Sequence, residues 1–355
     1  MTATHTEQAL LEHYVKKILA APVYELAVRT PLQAAPALSE ALGNRILLKR
    51  EDLQPTFSFK IRGAYNKLVQ LTPAQRARGV ITASAGNHAQ GVALAARELG
   101  ISASIVMPVT TPQLKVLGVR NRGAEALLYG ESFPFALEHA LDLAQQTGRE
   151  FVSPFDDPDV IAGQGTVAVE ILREHPGRLD AIFVPVGGGG LIAGIAAYVK
   201  YLRPEVRIIG VESEHSACLQ AALLAGERVT LPSVGTFADG VAVAQIGAHG
   251  FEICRFCVDE VMTVTDDQLC AAIKDIYDDT RSITEPSGAL AVAGIKQYVA
   301  RTGAQGQTLV AIDSGANINF DSLRHVAERA AINTARRPSH TFFEAGDGCP
   351  LTLPQ

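Results

Sequence analysis

The sequence lacks tryptophan, and aromatic residues make up only 6% of its 355 residues, so aliphatic side chains must build most of the core. Charged residues are scarce at 19%, and the net charge of −6 includes no basic stripe, which argues against a nucleic-acid partner. No apolar run reaches the ~18 residues that span a bilayer, and no charged-then-apolar signal pattern opens the chain. We therefore expect a cytoplasmic protein with no membrane partner.

The sequence also lacks a disulfide or metal framework. Its five cysteines are Cys218, Cys254, Cys257, Cys270 and Cys349. Cys254 and Cys257 have C-x-x-C spacing, but neither a second pair nor a His-x-x-x-His follows them. We interpret the cysteines as ordinary reduced thiols and predict no metal site.

What the chain does have is length and a repeated strand–helix alternation. With 47% hydrophobic residues, 355 residues suit two α/β domains better than one core. The alternation predicts mostly parallel sheets covered by helices. Clear examples are a helix over residues 157–174, a strand over 181–186 followed by a helix over 191–202, and a strand over 308–312. We also expect Thr6 to cap a first helix, and residues 331–355 to form a disordered tail.

One lysine lies in an unusual setting, Ser58-Phe59-Lys60-Ile61-Arg62-Gly63. Phe59 and Ile61 are apolar, and Arg62 adds a fixed positive charge. An apolar, cationic environment disfavours the ammonium form, and the free amine is what attacks a carbonyl. Lys60 is therefore a candidate Schiff-base lysine. The alternative is a solvated lysine in the first turn of a helix.

Four consecutive glycines, Gly187 to Gly190, lie between the predicted strand and the helix beginning at Leu191. Their backbone N–H groups at a helix N-terminus suit a phosphate. No Gly-Lys-Ser follows, which excludes a Walker loop. Two alternatives stay open: a structural glycine turn, and a dinucleotide fingerprint (Gly188-x-Gly190-x-x-Ala193, with Glu212 as the ribose-binding acid) in an NAD-dependent oxidoreductase.

Two further polar loops follow predicted strands. Ser84-Ala85-Gly86-Asn87-His88 is a strand-to-helix turn whose N–H groups could hold a carboxylate, with Asn87 adding a side-chain donor and acceptor. Its alternative is a simple helix cap. Ser314 comes just past the carboxyl end of the strand over 308–312, where a hydroxyl faces a ligand crevice. A lysine for an aldehyde, a phosphate loop, a hydroxyl for a ring nitrogen and a carboxylate-binding turn together indicate a pyridoxal 5′-phosphate enzyme acting on an amino acid.

The same motifs resemble a known family. Ser-Phe-Lys-Ile-Arg-Gly-Ala, Ser-Ala-Gly-Asn-His-Ala-Gln-Gly, the tetraglycine loop and Ser-Gly-Ala-Asn are similar to those of the fold type II pyridoxal-phosphate enzymes (tryptophan synthase β-like). The likeness is strongest to the biosynthetic threonine dehydratases (threonine ammonia-lyases). Phe237 to Val243 and Glu285 to Ala289 resemble that branch too. The resemblance covers roughly Tyr14 to Arg329.

The resemblance implies a function: dehydration and deamination of L-threonine to 2-oxobutanoate and ammonia, the first step of isoleucine biosynthesis, with activity on L-serine as well. The alternative is a general serine/threonine dehydratase with a catabolic role. It also implies a homodimer or homotetramer, a large discontinuous domain (residues 1–60 and 154–330) and a small domain (61–153).

The resemblance further implies the site residues. Lys60 is the Schiff-base lysine and the base that removes the α-proton. The cofactor-binding residues are Lys60, Phe59, Asn87, Gly187, Gly188, Gly189, Gly190, Leu191 and Ser314. Among these, the resemblance implies that Asn87 hydrogen-bonds the ring oxygen of the cofactor. The substrate-binding residues are Ser84, Ala85, Gly86, Asn87 and His88.

The sequence departs from the wider family in three places. Ala85 stands where serine racemases carry a serine base, so we expect weak racemisation. Cys218 stands where metal-dependent members carry an acid near Glu212, which agrees with the prediction of no metal site. The chain ends soon after Arg329, so we expect the isoleucine-binding regulatory domain of long members to be absent.

Overall fold

The computed structural model describes residues 5–335, with side chains described through residue 331. Two sheets form its centre. Within the described residues the strands are β1 (Leu32–Ala34), β2 (Arg45–Arg50), β3 (Val80–Ala83), β4 (Ala103–Met107), β5 (Glu125–Leu128), β6 (Glu150–Phe151), β7 (Ala181–Pro185), β8 (Arg207–Ser213), β9 (Glu260–Val264) and β10 (Thr308–Asp313).

Helices flank both sheets. In the same part of the chain they are α1 (His5–Ala20), α2 (Pro36–Leu42), α3 (Lys60–Val69), α4 (Pro73–Arg78), α5 (Asn87–Glu98), α6 (Gln113–Arg120), α7 (Phe133–Thr147), α8 (Pro158–Glu174), α9 (Gly190–Leu202), α10 (Cys218–Ala225), α11 (Ala248–Cys257), α12 (Asp266–Thr280), α13 (Pro286–Thr302) and α14 (Ser322–Ala335). None of these helices is both long and apolar enough to cross a bilayer.

The larger sheet has six strands in the order β1-β2-β10-β7-β8-β9. Only the edge strand β1 is antiparallel to its neighbour, and the remaining pairs are parallel. Its strands are apolar on both faces because each face packs on helices: α1, α8, α9 and α11 on one side, and α12 and α13 on the other. The carboxyl ends of β10 and β7 therefore meet at one edge, which is where ligands bind in such sheets.

The smaller sheet has four parallel strands in the order β5-β4-β3-β6, and all four strands lie within residues 80–151. Helices α3 and α5 cover one face and α7 covers the other. The predicted fold class, two mostly parallel sheets covered by helices, is confirmed. We propose that the two sheets are the centres of the two predicted domains; the bounds 61–153 stay a prediction.

Two predictions about the chain ends need comment. Helix α1 begins at His5, so Thr6 lies inside the helix and the prediction that it caps the helix is wrong. Helix α14 extends to Ala335, so the first residues of the predicted tail are helical. This helix is held because Val326 and Ala330 are buried and Arg329 forms an ion pair of 2.7 Å with Asp267. The rest of the predicted tail lies outside the described residues.

Candidate active site

Lys60 is the first residue of α3, and the segment before it is attached to the end of β10. Ser58 forms a β-bridge with Gly315, and the Phe59 N–H donates to the Ser314 carbonyl at 3.2 Å. The Lys60 Nζ donates to the Pro154 carbonyl at 2.8 Å and lies 5.2 Å from the centre of the Phe59 ring. The lysine therefore borders a cavity and is partly buried, which disagrees with the alternative of a solvated lysine in the first turn of a helix.

The Lys60 amine is easier to deprotonate than an ordinary lysine. Burial lowers its pKa from 10.5 to about 8, and the charge of Glu285 opposes this shift. The predicted contribution of Arg62 is wrong. The Arg62 guanidinium is fully buried and donates to Glu51 and Glu170 at 2.7–2.8 Å, which neutralises its charge. The low pKa of Lys60 thus comes from burial.

The tetraglycine loop connects β7 to α9, and α9 begins one residue earlier than predicted, at Gly190. The loop allows no side chain at Gly188, where a Cβ atom would come within 2.1 Å of the Phe155 ring, and Gly189 has φ +90°. Within residues 5–335, no hydrogen bond uses the backbone N–H of Gly187, Gly188 or Gly189. The loop therefore offers free donors beside a helix N-terminus, as a phosphate requires.

The second loop leads from β3 into α5. The Ser84 hydroxyl accepts from the N–H groups of Gly86 (3.2 Å) and Ala89 (3.3 Å), so Ser84 caps this turn. Asn87 does not cap: its Nδ2 donates to Glu285 Oε1 and its Oδ1 accepts from Asn317 Nδ2, both at 2.6 Å. The capping interpretation therefore holds for Ser84 but not for Asn87.

His88 lines the cavity, but its ring is engaged elsewhere. Its Nε2 lies 3.1 Å from the Val152 carbonyl. Burial, together with the charge of Lys60, lowers its pKa to about 3, so the imidazole is neutral at physiological pH. A positively charged contact from His88 to a substrate carboxylate is therefore excluded.

Ser314 lies at the carboxyl end of β10, with its hydroxyl 3.4 Å from the Ser287 carbonyl. The neighbouring Asp313 does not line the cavity; it accepts a 2.6 Å hydrogen bond from the Thr284 hydroxyl, and burial raises its pKa well above its usual range. Glu285 does line the cavity, and burial, with the charge of Asp239, raises its pKa as well.

One cavity of about 230 Å³ is bordered by every residue that the sequence predicted for the site. Sequence reasoning missed other lining residues, namely Ala83, Lys115, Phe133, Pro154, Phe155, Pro185, Asp239, Gly240, Val241, Ala242, Val243, Glu285, Ser287 and Asn317. Asp239 to Val243, together with Glu285 and Ser287, fall in the motifs over 237–243 and 285–289 that resemble the family, so the sequence did hold a signal for them. Lys115 had none; it forms an ion pair with Asp239, 124 residues away.

Glu212 is not part of this cavity. Its carboxylate accepts the N–H groups of Leu219 (2.8 Å) and Gln220 (2.9 Å) at the start of α10, and burial raises its pKa to about 7. A carboxylate that caps a helix in the interior is not available for a ribose. The dinucleotide interpretation is therefore wrong. Cys218, beside it, is a buried free thiol that donates to the Gly187 carbonyl at 3.3 Å.

The fold and cavity define a class of protein, and comparison with known sequences agrees. The family model described as "Pyridoxal-phosphate dependent enzyme" matches residues 23–315. The chain belongs to this family, whose cofactor is pyridoxal phosphate.

Particular relatives are more specific. The chain is 58% identical over 326 residues to "L-threonine dehydratase biosynthetic IlvA" of Burkholderia multivorans, covering 91% of this chain and 64% of that protein. The chain is also 53% identical over 323 residues to the protein of the same name from Escherichia coli, covering 91% of this chain and 63% of that protein. The solved structure of the processed form of threonine deaminase isoform 2 from Solanum lycopersicum has a TM-score of 0.90 and 48% identity, covering 94% of this chain and 90% of that one. The chain thus spans a little under two thirds of the length of these two curated relatives.

Proposed function

We propose that this protein is a pyridoxal-phosphate-dependent threonine dehydratase. It converts L-threonine to 2-oxobutanoate and ammonia, acts on L-serine as well, and serves isoleucine biosynthesis. The observation that carries the proposal is a single cavity in which Lys60, with a pKa of about 8, faces a glycine loop with free N–H groups and the Asn87 turn. Identity of 58% to a relative named as a biosynthetic threonine dehydratase supports the choice of substrate.

The residues present fit the cofactor. The N–H groups of Gly187, Gly188 and Gly189 suit its phosphate, and a side chain at Gly188 would collide with the Phe155 ring beside the loop. Lys60 Nζ would hold its aldehyde carbon, and the hydroxyl of Ser314 would meet its ring nitrogen. When bound, pyridoxal phosphate supplies an electrophilic carbon and a ring that takes up the electron pair left at the substrate Cα.

The protein's own groups carry out the proton transfer and the orientation. Lys60, partly neutral near pH 8, takes the α-proton on Nζ, and its anchoring to β10 keeps it in one place. In the turn over 84–88, the N–H groups of Ser84 and Gly86 already have acceptors, so those of Ala85, Asn87 and His88 would hold the substrate carboxylate. The partly buried surroundings strengthen both interactions because charges attract more strongly away from bulk water.

The test is keto-acid formation from L-threonine and L-serine. Lys60→Ala should lower kcat by at least about 100-fold, the range expected for loss of a general base, while Lys274→Ala, at an exposed lysine on α12, should match the wild type. A Lys60→Ala enzyme that keeps a large part of the wild-type rate would remove Lys60 from the mechanism. Faster turnover of L-serine than of L-threonine would favour the alternative, a general serine/threonine dehydratase with a catabolic role.

The homodimer or homotetramer stays a prediction, which sedimentation velocity on the purified protein can test. The cytoplasmic location also stays a prediction. Some relatives carry the words "chloroplastic" or "mitochondrial" in their names. Fractionation of the source cells would decide between these locations.

A further inference from the structure

The side-chain amide of Asn87 is held at both ends. Its Nδ2 donates to Glu285 Oε1 and its Oδ1 accepts from Asn317 Nδ2, each at 2.6 Å. The two ends of a carboxamide are nearly the same in shape, so only hydrogen-bond partners of known polarity can decide which end faces which way. The question is therefore what fixes the polarity of Asn317.

Asn317 is fixed by the backbone. Its Nδ2 donates one hydrogen to the Thr56 carbonyl at 2.9 Å and the other to Asn87 Oδ1. A backbone carbonyl can only accept, so the Asn317 amide cannot turn over without bringing two oxygens together. Asn317 therefore donates an N–H to Asn87, and Asn87 accepts this hydrogen bond with its side-chain oxygen.

The hydrogen bonds at Glu285, on the other side of Asn87, agree with this orientation of the Asn87 amide. Glu285 Oε1 accepts from Asn87 Nδ2 and also from the Ser287 hydroxyl, at 2.7 Å. The second hydrogen of Asn87 Nδ2 has no acceptor among residues 5–335, and Asn87 borders the cavity. One N–H of Asn87 is thus left for a ligand.

We propose that Asn317 is a positioning residue: bonded to the Thr56 carbonyl, it sets the Asn87 amide so that an N–H, and not the carbonyl oxygen, faces the ring oxygen of the cofactor. This inference rests on the proposed function. The polarity matters because a ring oxygen that carries negative charge gains from a donor and is repelled by a carbonyl oxygen. Asn317 itself acts only through Asn87.

The test is cofactor binding and not turnover. Asn317→Asp replaces the donor by an acceptor, so Asn87 must turn its N–H groups toward residue 317 and its oxygen toward the cavity. We expect the dissociation constant for pyridoxal phosphate, measured by equilibrium dialysis, to rise at least about tenfold, the effect of losing a hydrogen bond to a charged group. The absorption band of the bound cofactor should shift as well. Asn121→Asp, the same change at an exposed asparagine after α6, should leave both unchanged.

Two more variants separate the possible failures. Asn87→Ala should weaken cofactor binding; wild-type affinity in this variant would show that the proposed cofactor site is wrong. If Asn87→Ala binds weakly but Asn317→Asp binds like the wild type, only the positioning role is wrong. Should Asn317→Asp fail to fold, as judged by its thermal transition, Asn317→Ala decides instead. This variant removes the donor to Asn87 Oδ1 and leaves only Glu285 to orient the amide, so the dissociation constant should rise, by less than in Asn317→Asp. An unchanged value overturns the proposal.

Discussion

The Lys60 side chain is partly buried, and its amine forms no ion pair with a carboxylate in the part of the chain that the structure describes. Its amine donates to a neutral carbonyl, that of Pro154, and the nearby acid that opposes its pKa shift, Glu285, has a raised pKa of its own. A lysine paired with an ionised carboxylate would keep a high pKa. Pairing with a carbonyl orients the amine without holding it in the charged form, which suits both a nucleophile and a base.

The low pKa can be measured directly on the cofactor-free protein. Limited acetylation with acetic anhydride, followed by mass spectrometry, should show Lys60 half-reactive at about pH 8, because only the neutral amine reacts. Lys16 is the internal control, since its hydrogen bond to Glu12 raises its pKa above 10.5. Lys60 that reacts only in the range of ordinary lysines, near pH 10.5, would contradict the assigned role of burial.

The role of Lys60 stays a prediction, and one of the two reasons given for it from the sequence was wrong. Apolar neighbours in the sequence did indicate burial. The predicted contribution of the Arg62 charge was wrong because the sequence does not show that Glu51 and Glu170 bind that side chain. Whether a charged neighbour in the sequence shifts the pKa of a lysine depends on ion-pair partners that are distant in the sequence.

At the scale of elements, the conformation of the tetraglycine loop depends on the neighbouring residues as well as on the backbone flexibility of glycine. Phe155 lies against Gly188 and also against Gly190, where a Cβ would come within 2.8 Å of the Phe155 carbonyl. At Gly189, positive φ and the Ile246 side chain, 2.4 Å from a Cβ, both exclude larger residues. The loop is therefore held in one conformation before any ligand arrives.

Gly189→Asp should weaken pyridoxal-phosphate binding far more than it weakens folding. A carboxylate there repels the phosphate and strains a backbone with φ +90°. We expect the dissociation constant to rise by at least about tenfold, the effect of losing a charge-assisted hydrogen bond. Gly226→Asp is the matched control, because Gly226 also has positive φ (+75°) but open space around it. Equal affinity in the Gly189 variant and the control would place the phosphate elsewhere.

How well an element could be predicted depended on how local its cause was. Helix α8, strand β7 and helix α9 have long apolar patterns, and their predicted ends agree within one residue. Helix α10 and strand β9 were not predicted. Helix α10 has only eight residues, and β9, although as long as β7, buries only Met262 and Val264. The start of α10 is capped by the Glu212 carboxylate from β8.

At the scale of the whole molecule, a buried group of four charges links the end of strand β2 to helices α3 and α8. Arg62 of α3 binds Glu51 and Glu170, and Lys49 of β2 binds Glu170 at 2.6 Å. The four side chains are at most 3% exposed. These two cations and two anions balance, and Lys49 also pairs with the more exposed Glu174 at 3.3 Å. Each member alone would be an expensive buried charge.

Arg62→Met should therefore lower the free energy of unfolding by about 3–5 kcal/mol, the usual effect of removing one partner from a buried ion pair. Urea denaturation followed by circular dichroism measures it. Arg324→Met is the control, since Arg324 is exposed and pairs only with Glu328 one helical turn away, and should change little. A loss at Arg62 no larger than in the control would mean that the group contributes no net stability.

The connection from β6 to α8 has a consequence for which changes of length the chain can accept. Pro154 accepts the Lys60 amine, Phe155 lies against the glycine loop, and Asp156 accepts the N–H groups of Ala248 and His249 at 2.8–2.9 Å. Most connections between elements tolerate insertions because few of their residues are fixed. Here three consecutive residues have three separate partners, so one added residue would displace the lysine, the loop and α11 together. Insertions compatible with activity must therefore be sought in other connections of the chain.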